Sequence, residues 1–201
     1  MGPDSFFIRK MVEEINYLQQ QVPENIIKFF RTQAEQKIEA EKWAGRNKEV
    51  KIQNFVHCWV TEEAFKQILI KEKKWFRHRG LYFGDAVGAG ADFTVKIEGK
   101  EVSVGLRSVA PESLNTFKSV AYPDDRFRDE KEKIADYHIV CNHEDGLTKF
   151  YGIISKEELL HALEHSRVLY SRKNQEKFRV IPLQRFQFQK LQELFAQIEI
   201  A

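Results

Sequence analysis

Ala91-Asp92-Phe93-Thr94-Val95-Lys96-Ile97, followed across Glu98-Gly99 by Glu101-Val102-Ser103-Val104-Gly105-Leu106-Arg107, decides how this chain is read. The two runs predict a β-hairpin that opens on a carboxylate. Side chains alternate along a strand, so Val102, Val104 and Leu106 share one face and can be buried, while Glu101, Ser103, Gly105 and Arg107 share the other. That second face is available for chemistry. A carboxylate at the head of a hairpin, beside a polar-faced strand, is one way to hold a divalent cation.

Downstream, residues 108–128 read as irregular, with Pro111 and Pro123, before two further strands at 136–141 and 148–154 joined by a turn at His143-Glu144-Asp145-Gly146. Ser155 and Glu158 form a capping box ahead of Leu159, Leu160 and Leu163. A strand-like run at 178–183 and an amphipathic helix carrying Leu191, Leu194, Phe195 and Ile198 close the chain. Upstream, the glycine stretch 84–90 lacks the Gly-Lys-Ser/Thr ending of a phosphate loop and runs into a strand, so it reads as a turn after a short strand at 80–84. Before it, Thr61 reads as an N-cap with Glu62 and Glu63 in the first turn, and Ala64, Phe65, Ile68 and Leu69 as the buried stripe of a helix running to about Lys74.

The N-terminal part has a different periodicity. Ile8, Met11, Val12, Ile15, Leu18 and Val22 recur at helical spacing over 5–21, Pro23 interrupts, and Ile27, Phe30, Ala34 and Ile38 continue over 24–44. The turn-like Gly45-Arg46-Asn47-Lys48-Glu49 then places a boundary between an N-terminal helical pair, 1–48, and an α/β domain, 49–201. Each helix has an apolar stripe, so the pair packs on the main domain or forms a homodimer through residues 5–44.

Composition bounds the function classes. Lysine plus arginine, 32, nearly cancel aspartate plus glutamate, 30, so overall charge does not announce a nucleic-acid binder and local charge must decide. The two cysteines, Cys58 and Cys141, lie far apart with no Cys-x-x-Cys spacing, which argues against a disulfide framework or a structural zinc site. His57 beside Cys58 and His143 near Cys141 sit in apolar runs with poor ligand spacing. No stretch has the apolar length of a membrane span, and no secretory leader is evident, so the expectation is a cytoplasmic protein with no membrane partner.

The order of helix, strand, Asp-led hairpin, crossover, two strands and capped helix resembles the PD-(D/E)xK nuclease superfamily, over roughly residues 59–185. Gly90-Ala91-Asp92-Phe93, the strand 102–108, and the pair 135–140 with 150–154 carry the resemblance. It implies a restriction-endonuclease-like mixed central sheet flanked by helices, with the N-terminal helical pair outside that core. It also implies Mg²⁺ or Mn²⁺ held by the first Asp and an acid on the second strand, with a lysine two residues further on, for hydrolysis of DNA phosphodiester bonds. Asp92 takes the first position, but Ser103 stands for the acid and Gly105 for the lysine. Glu101 and Arg107, one pleat to either side on the same face, are the available replacements. Arginine stays protonated, so Arg107 can neutralise a phosphate but cannot act as a base. Glu63, or its neighbour Glu62, resembles the helix carboxylate that some members add to the metal.

Two basic stretches suit a phosphate backbone: Lys71, Lys73, Lys74, Arg77 and Arg79 around Trp75 and Phe76, and a later one that includes Arg172 and Lys173. Both also read as charge that solvates a helix end and a loop. The readings that follow are a metal-dependent endonuclease using Asp92, Glu101, Glu63 and Arg107, a degenerate relative that binds nucleic acid without cutting it, and a dimeric interaction scaffold.

Overall fold

A computed structural model describes residues 17–40, 47–80, 91–172 and 176–201. In chain order the elements are β1 (Leu18–Gln21), α1 (Glu24–Ala40), α2 (Lys48–Lys71), β2 (Phe76–His78), β3 (Phe93–Ile97), β4 (Lys100–Ser108), α3 (Pro111–Asn115), β5 (Ser119–Pro123), α4 (Asp124–Asp129), β6 (Tyr137–Glu144), β7 (Leu147–Ser155), α5 (Lys156–Glu164), β8 (Val168–Ser171), β9 (Glu176–Pro182) and α6 (Phe188–Gln197). The fold is α/β, with a mixed central sheet of order β1-β7-β6-β4-β3-β2 and a second sheet of order β5-β9-β8.

The Asp92 hairpin forms as its sequence dictates. Phe93 pairs with Val104 and Lys96 with Glu101 in antiparallel register, and Glu98 and Gly99 both take positive φ in the turn. β4 then runs parallel to β6, and β6 antiparallel to β7, so all four expected strands share one sheet. α3, β5 and α4 make the crossover between the two parallel strands. Parallel neighbours require such a long connection.

One face of the sheet carries Phe93, Val95, Val104, Ile139, Cys141, Phe150 and Ile153. They pack in one core with Trp59, Ala64, Phe65 and Leu69 of α2 and with Leu191 and Leu194 of α6. The opposite face buries Val140 and Ile154 against Val120 and Tyr122 of β5, Ile181 of β9, and Leu159 and Leu163 of α5. The capping box of α5 is present in full, with Ser155 and Glu158 exchanging side-chain-to-backbone bonds.

Several expectations from sequence are corrected. Leu18–Gln21 is a strand on the edge of the sheet, paired with Leu147–Phe150 of β7, and not the end of a helix; residues 5–16 lie outside the described residues. Thr61 is not an N-cap. α2 begins thirteen residues earlier, where the Asn47 side chain accepts the Glu49 N–H at 2.9 Å, and Thr61 lies mid-helix with its hydroxyl donating to the Cys58 carbonyl at 2.8 Å. The irregular stretch 108–128 contains two short helices and the strand β5. The strand expected at 80–84 and the glycine stretch fall largely on 81–90, outside the described residues, and the ordered strand in this region is β2.

The apolar stripe of α1, which motivates a homodimer through 5–44, is used within the chain. Phe30, Ala34 and Ile38 are buried in the same core as Trp59 and Phe65, so packing is continuous across the boundary drawn at residue 48. Phe30 meets Trp59 edge-on, with ring centroids 6.3 Å apart.

Candidate functional site

Asp92 sits at the head of β3, one residue before the Phe93↔Val104 pair. Its carboxylate accepts the Leu106 N–H at 2.6 Å and lies 3.4 Å from the Arg79 guanidinium. Glu101 lies at the turn end of the same hairpin, opposite Lys96, and its Oε2 is 2.7 Å from Arg77 on the solvent side. Four residues of strand, about 13 Å, separate the two along the hairpin. The register therefore does not bring Asp92 and Glu101 together.

Of the two helix acids, Glu62 is the one that turns toward the hairpin. Its carboxylate is 3.0 Å from His78 Nε2, and the His78 ring stacks on Phe93 with centroids 4.5 Å apart. Burial first, and then the charges of Cys58, Asp92 and Glu62, push the Cys141 thiol up. Glu63 points elsewhere: Lys66 pairs with it at 2.5 Å and Gln67 donates to it at 3.1 Å. Among the described residues no group of three His, Cys, Asp or Glu side chains gathers into a metal site. Asp92, Glu101 and Glu63 thus do not fit as ligands of one cation.

The two motif positions on β4 are filled from β6. Ser103 donates both its N–H, at 2.8 Å, and its hydroxyl, at 2.6 Å, to one oxygen of Asp136, and accepts the Asp136 N–H at 2.9 Å. Gly105 pairs with His138, whose ring lies over it. A β-carbon at 105 would stand 2.9 Å from His138 Nδ1, which leaves no room for a side chain there. Asp136, just before β6, and His138 on it therefore lie alongside Ser103 and Gly105 on β4. Sequence reasoning treated both residues as strand positions, and only the parallel register shows what they face.

Arg107 turns onto the second sheet, its guanidinium carbon 4.1 Å from the centre of the Tyr122 ring. His138 meets the same ring edge-on at 6.0 Å. Burial, and then the charges of Arg107, Arg126 and Lys156, hold His138 well below the usual imidazole range. His138 had no signal in the sequence beyond its place in an apolar strand, and Tyr122 lay in a stretch that read as irregular.

The first basic stretch divides. Lys71 and Lys73, at the end of α2, are exposed and pair with no acid among the described residues, whereas Arg77 and Arg79 are tied to Glu101 and Asp92. Lys74 donates to the Ile198 carbonyl at 2.8 Å and anchors the C-terminal segment. Arg172 is exposed at the end of β8, on the second sheet, and Lys173 lies outside the described residues. No helix among the described residues is long and apolar enough to cross a membrane. No family model, curated protein or solved structure matches the chain.

Proposed function

We propose that the chain is a nucleic-acid-binding α/β protein, with duplex DNA as its first candidate partner, that holds the strand without hydrolysing it. One observation carries this reading: the His138 ring occupies the space over Gly105, where the nuclease resemblance requires a lysine. The first acid, Asp92, is engaged by a backbone N–H and by Arg79, and Glu101 is four residues away along the hairpin. Binding is assigned to the exposed cations Lys71 and Lys73 at the end of α2, with Arg77 on the adjoining edge strand. Such contacts release counterions, so affinity falls with salt.

A second reading, hydrolysis with Mg²⁺ or Mn²⁺, has one observation in its favour: Asp136 is hydrogen-bonded to Ser103 and His138 pairs with Gly105, the two vacated motif positions. Incubating supercoiled plasmid with wild type and with Asp92→Ala, in each metal, tests the choice. Intact plasmid throughout, with salt-dependent retention of DNA, supports binding alone. Nicking that disappears in Asp92→Ala or His138→Ala overturns it.

A further inference from the structure

We propose that Arg107, Tyr122 and His138 form a binding site for a phosphate-type oxyanion in the layer between the two sheets. The three side chains come from β4, β5 and β6 and meet around one ring: Arg107 lies 4.1 Å over the Tyr122 ring, and His138 stands edge-on to that ring at 6.0 Å. Tyr122 is 1% exposed and His138 3%. Even so, Tyr122 Oη, Arg107 Nε and both ring nitrogens of His138 are buried with no hydrogen-bond partner. Interior polar atoms are paired as a rule, because an unpaired one forfeits its hydration and receives nothing in return. Four such atoms within one cluster are therefore the mark of a site that a ligand completes.

Charge and donor count select the ligand. Arg107 supplies a permanent cation and an N–H, the tyrosine an O–H, and a neutral imidazole one N–H. The charges that act on His138 are those of Arg107, Arg126 and Lys156, all cationic. The neighbouring acids are otherwise committed: Asp136 to Ser103, and Asp124 to Arg179 at 2.6 Å and Arg128 at 2.9 Å. A cation finds no counter-charge here, whereas a tetrahedral oxyanion accepts from every donor. Arg107 is only half-buried, so it links the cluster to solvent. Gly105 lets the site exist, since any side chain there would displace the His138 ring.

The phosphate is either free inorganic phosphate or the terminal phosphate of a strand, and only the second source rests on the nucleic-acid reading. Calorimetric titration of the full chain with inorganic phosphate tests the site, together with ¹⁵N spectra of the His138 ring. Saturable one-to-one binding is expected. It should weaken at least tenfold in Arg107→Gln and in Tyr122→Phe, and the His138 ring-nitrogen shifts should move with saturation. Tyr122→Phe keeps the aromatic packing, and the wild-type ring signal needs no variant, so a folding failure in one protein leaves the test intact. Absence of saturable binding, wild-type affinity in both variants, or unmoved ring nitrogens would overturn the site. A tenfold preference for a 5′-phosphorylated over a 5′-hydroxyl oligonucleotide assigns the strand terminus; phosphate binding without that preference assigns the free anion. Phosphate binding in a protein that ignores DNA keeps this site and removes the nucleic-acid reading. DNA binding without phosphate binding does the reverse.

Discussion

Replacing Gly105 by alanine tests the contact on which the functional reading turns. The new methyl carbon would lie 2.9 Å from His138 Nδ1, 3.1 Å from Cε1 and 3.5 Å from the Ala135 Cβ. Ordinary contacts begin near ~3.5 Å, so the ring must retreat by roughly 0.5 Å or the strands must part. His138 has little room to do so, being 3% exposed and set against the Tyr122 ring. Overpacking of this kind costs about 1–3 kcal/mol, and the alanine returns ~0.5–1 kcal/mol by stiffening a glycine in a strand. The net expectation is destabilisation by up to about 2.5 kcal/mol, read as a lower urea midpoint at unchanged m-value, or as a fall of up to roughly 10 °C in Tm. In a His138→Ala background the clash is gone, so the same substitution should change sign and stabilise by ~0.5–1 kcal/mol. Equal effects of Gly105→Ala in the two backgrounds would refute the argument that the imidazole fills that position.

Three further outcomes follow from other contacts. Gly152→Ala should cost more than Gly105→Ala, toward the upper end of about 1–3 kcal/mol, because its Cβ would meet backbone, 2.6 Å from the Phe186 carbonyl oxygen; equal midpoints for the two variants would contradict this. Asp124 is held below the usual carboxylate range: burial works against this, but the hydrogen bonds and charges of Arg179 and Arg128 outweigh it. Asp124→Ala strands Arg179 and should cost about 3–5 kcal/mol by urea unfolding, with a loss under 1 kcal/mol refuting the assignment. Burial, and then His143, push His57 down to about 4, so between there and 6.5 the unfolded chain binds the proton that the folded chain refuses. The His57 contribution is present above pH 6.5 and is lost as pH falls toward 4, with a slope of at most ~1.4 kcal/mol per unit. His57→Gln should flatten stability against pH in that window, and an unchanged profile would contradict the burial.

The hairpin at Asp92, the strands at Tyr137 and Leu147 and the capped helix after Ser155 were legible because local signals agree with the tertiary result: alternation, a Gly turn and a capping box. Leu18–Gln21 was not, since Leu-Gln-Gln-Gln has no β-branched residue, and its strand conformation comes from pairing with β7. The start of α2 was hidden by Glu62 and Glu63, which read as first-turn acids but are interior residues satisfied by His78 and Lys66. The second sheet was obscured by Pro123 and by β8, a strand of only four residues. At the site, Asp92 and Arg107 were visible as isolated chemistry. The surroundings of Arg107 were not, because Tyr122 and His138 come to it from a crossover strand and a parallel neighbour that no local pattern encodes.

The most direct test titrates an end-labelled DNA duplex with the protein in Mg²⁺ and in Mn²⁺, at low and at high salt, reading mobility and strand length from the same lanes. Retarded, full-length DNA whose retardation is lost at high salt is the predicted result. Shortened strands, or DNA that is never retarded, would contradict the proposal that this chain binds nucleic acid without cutting it.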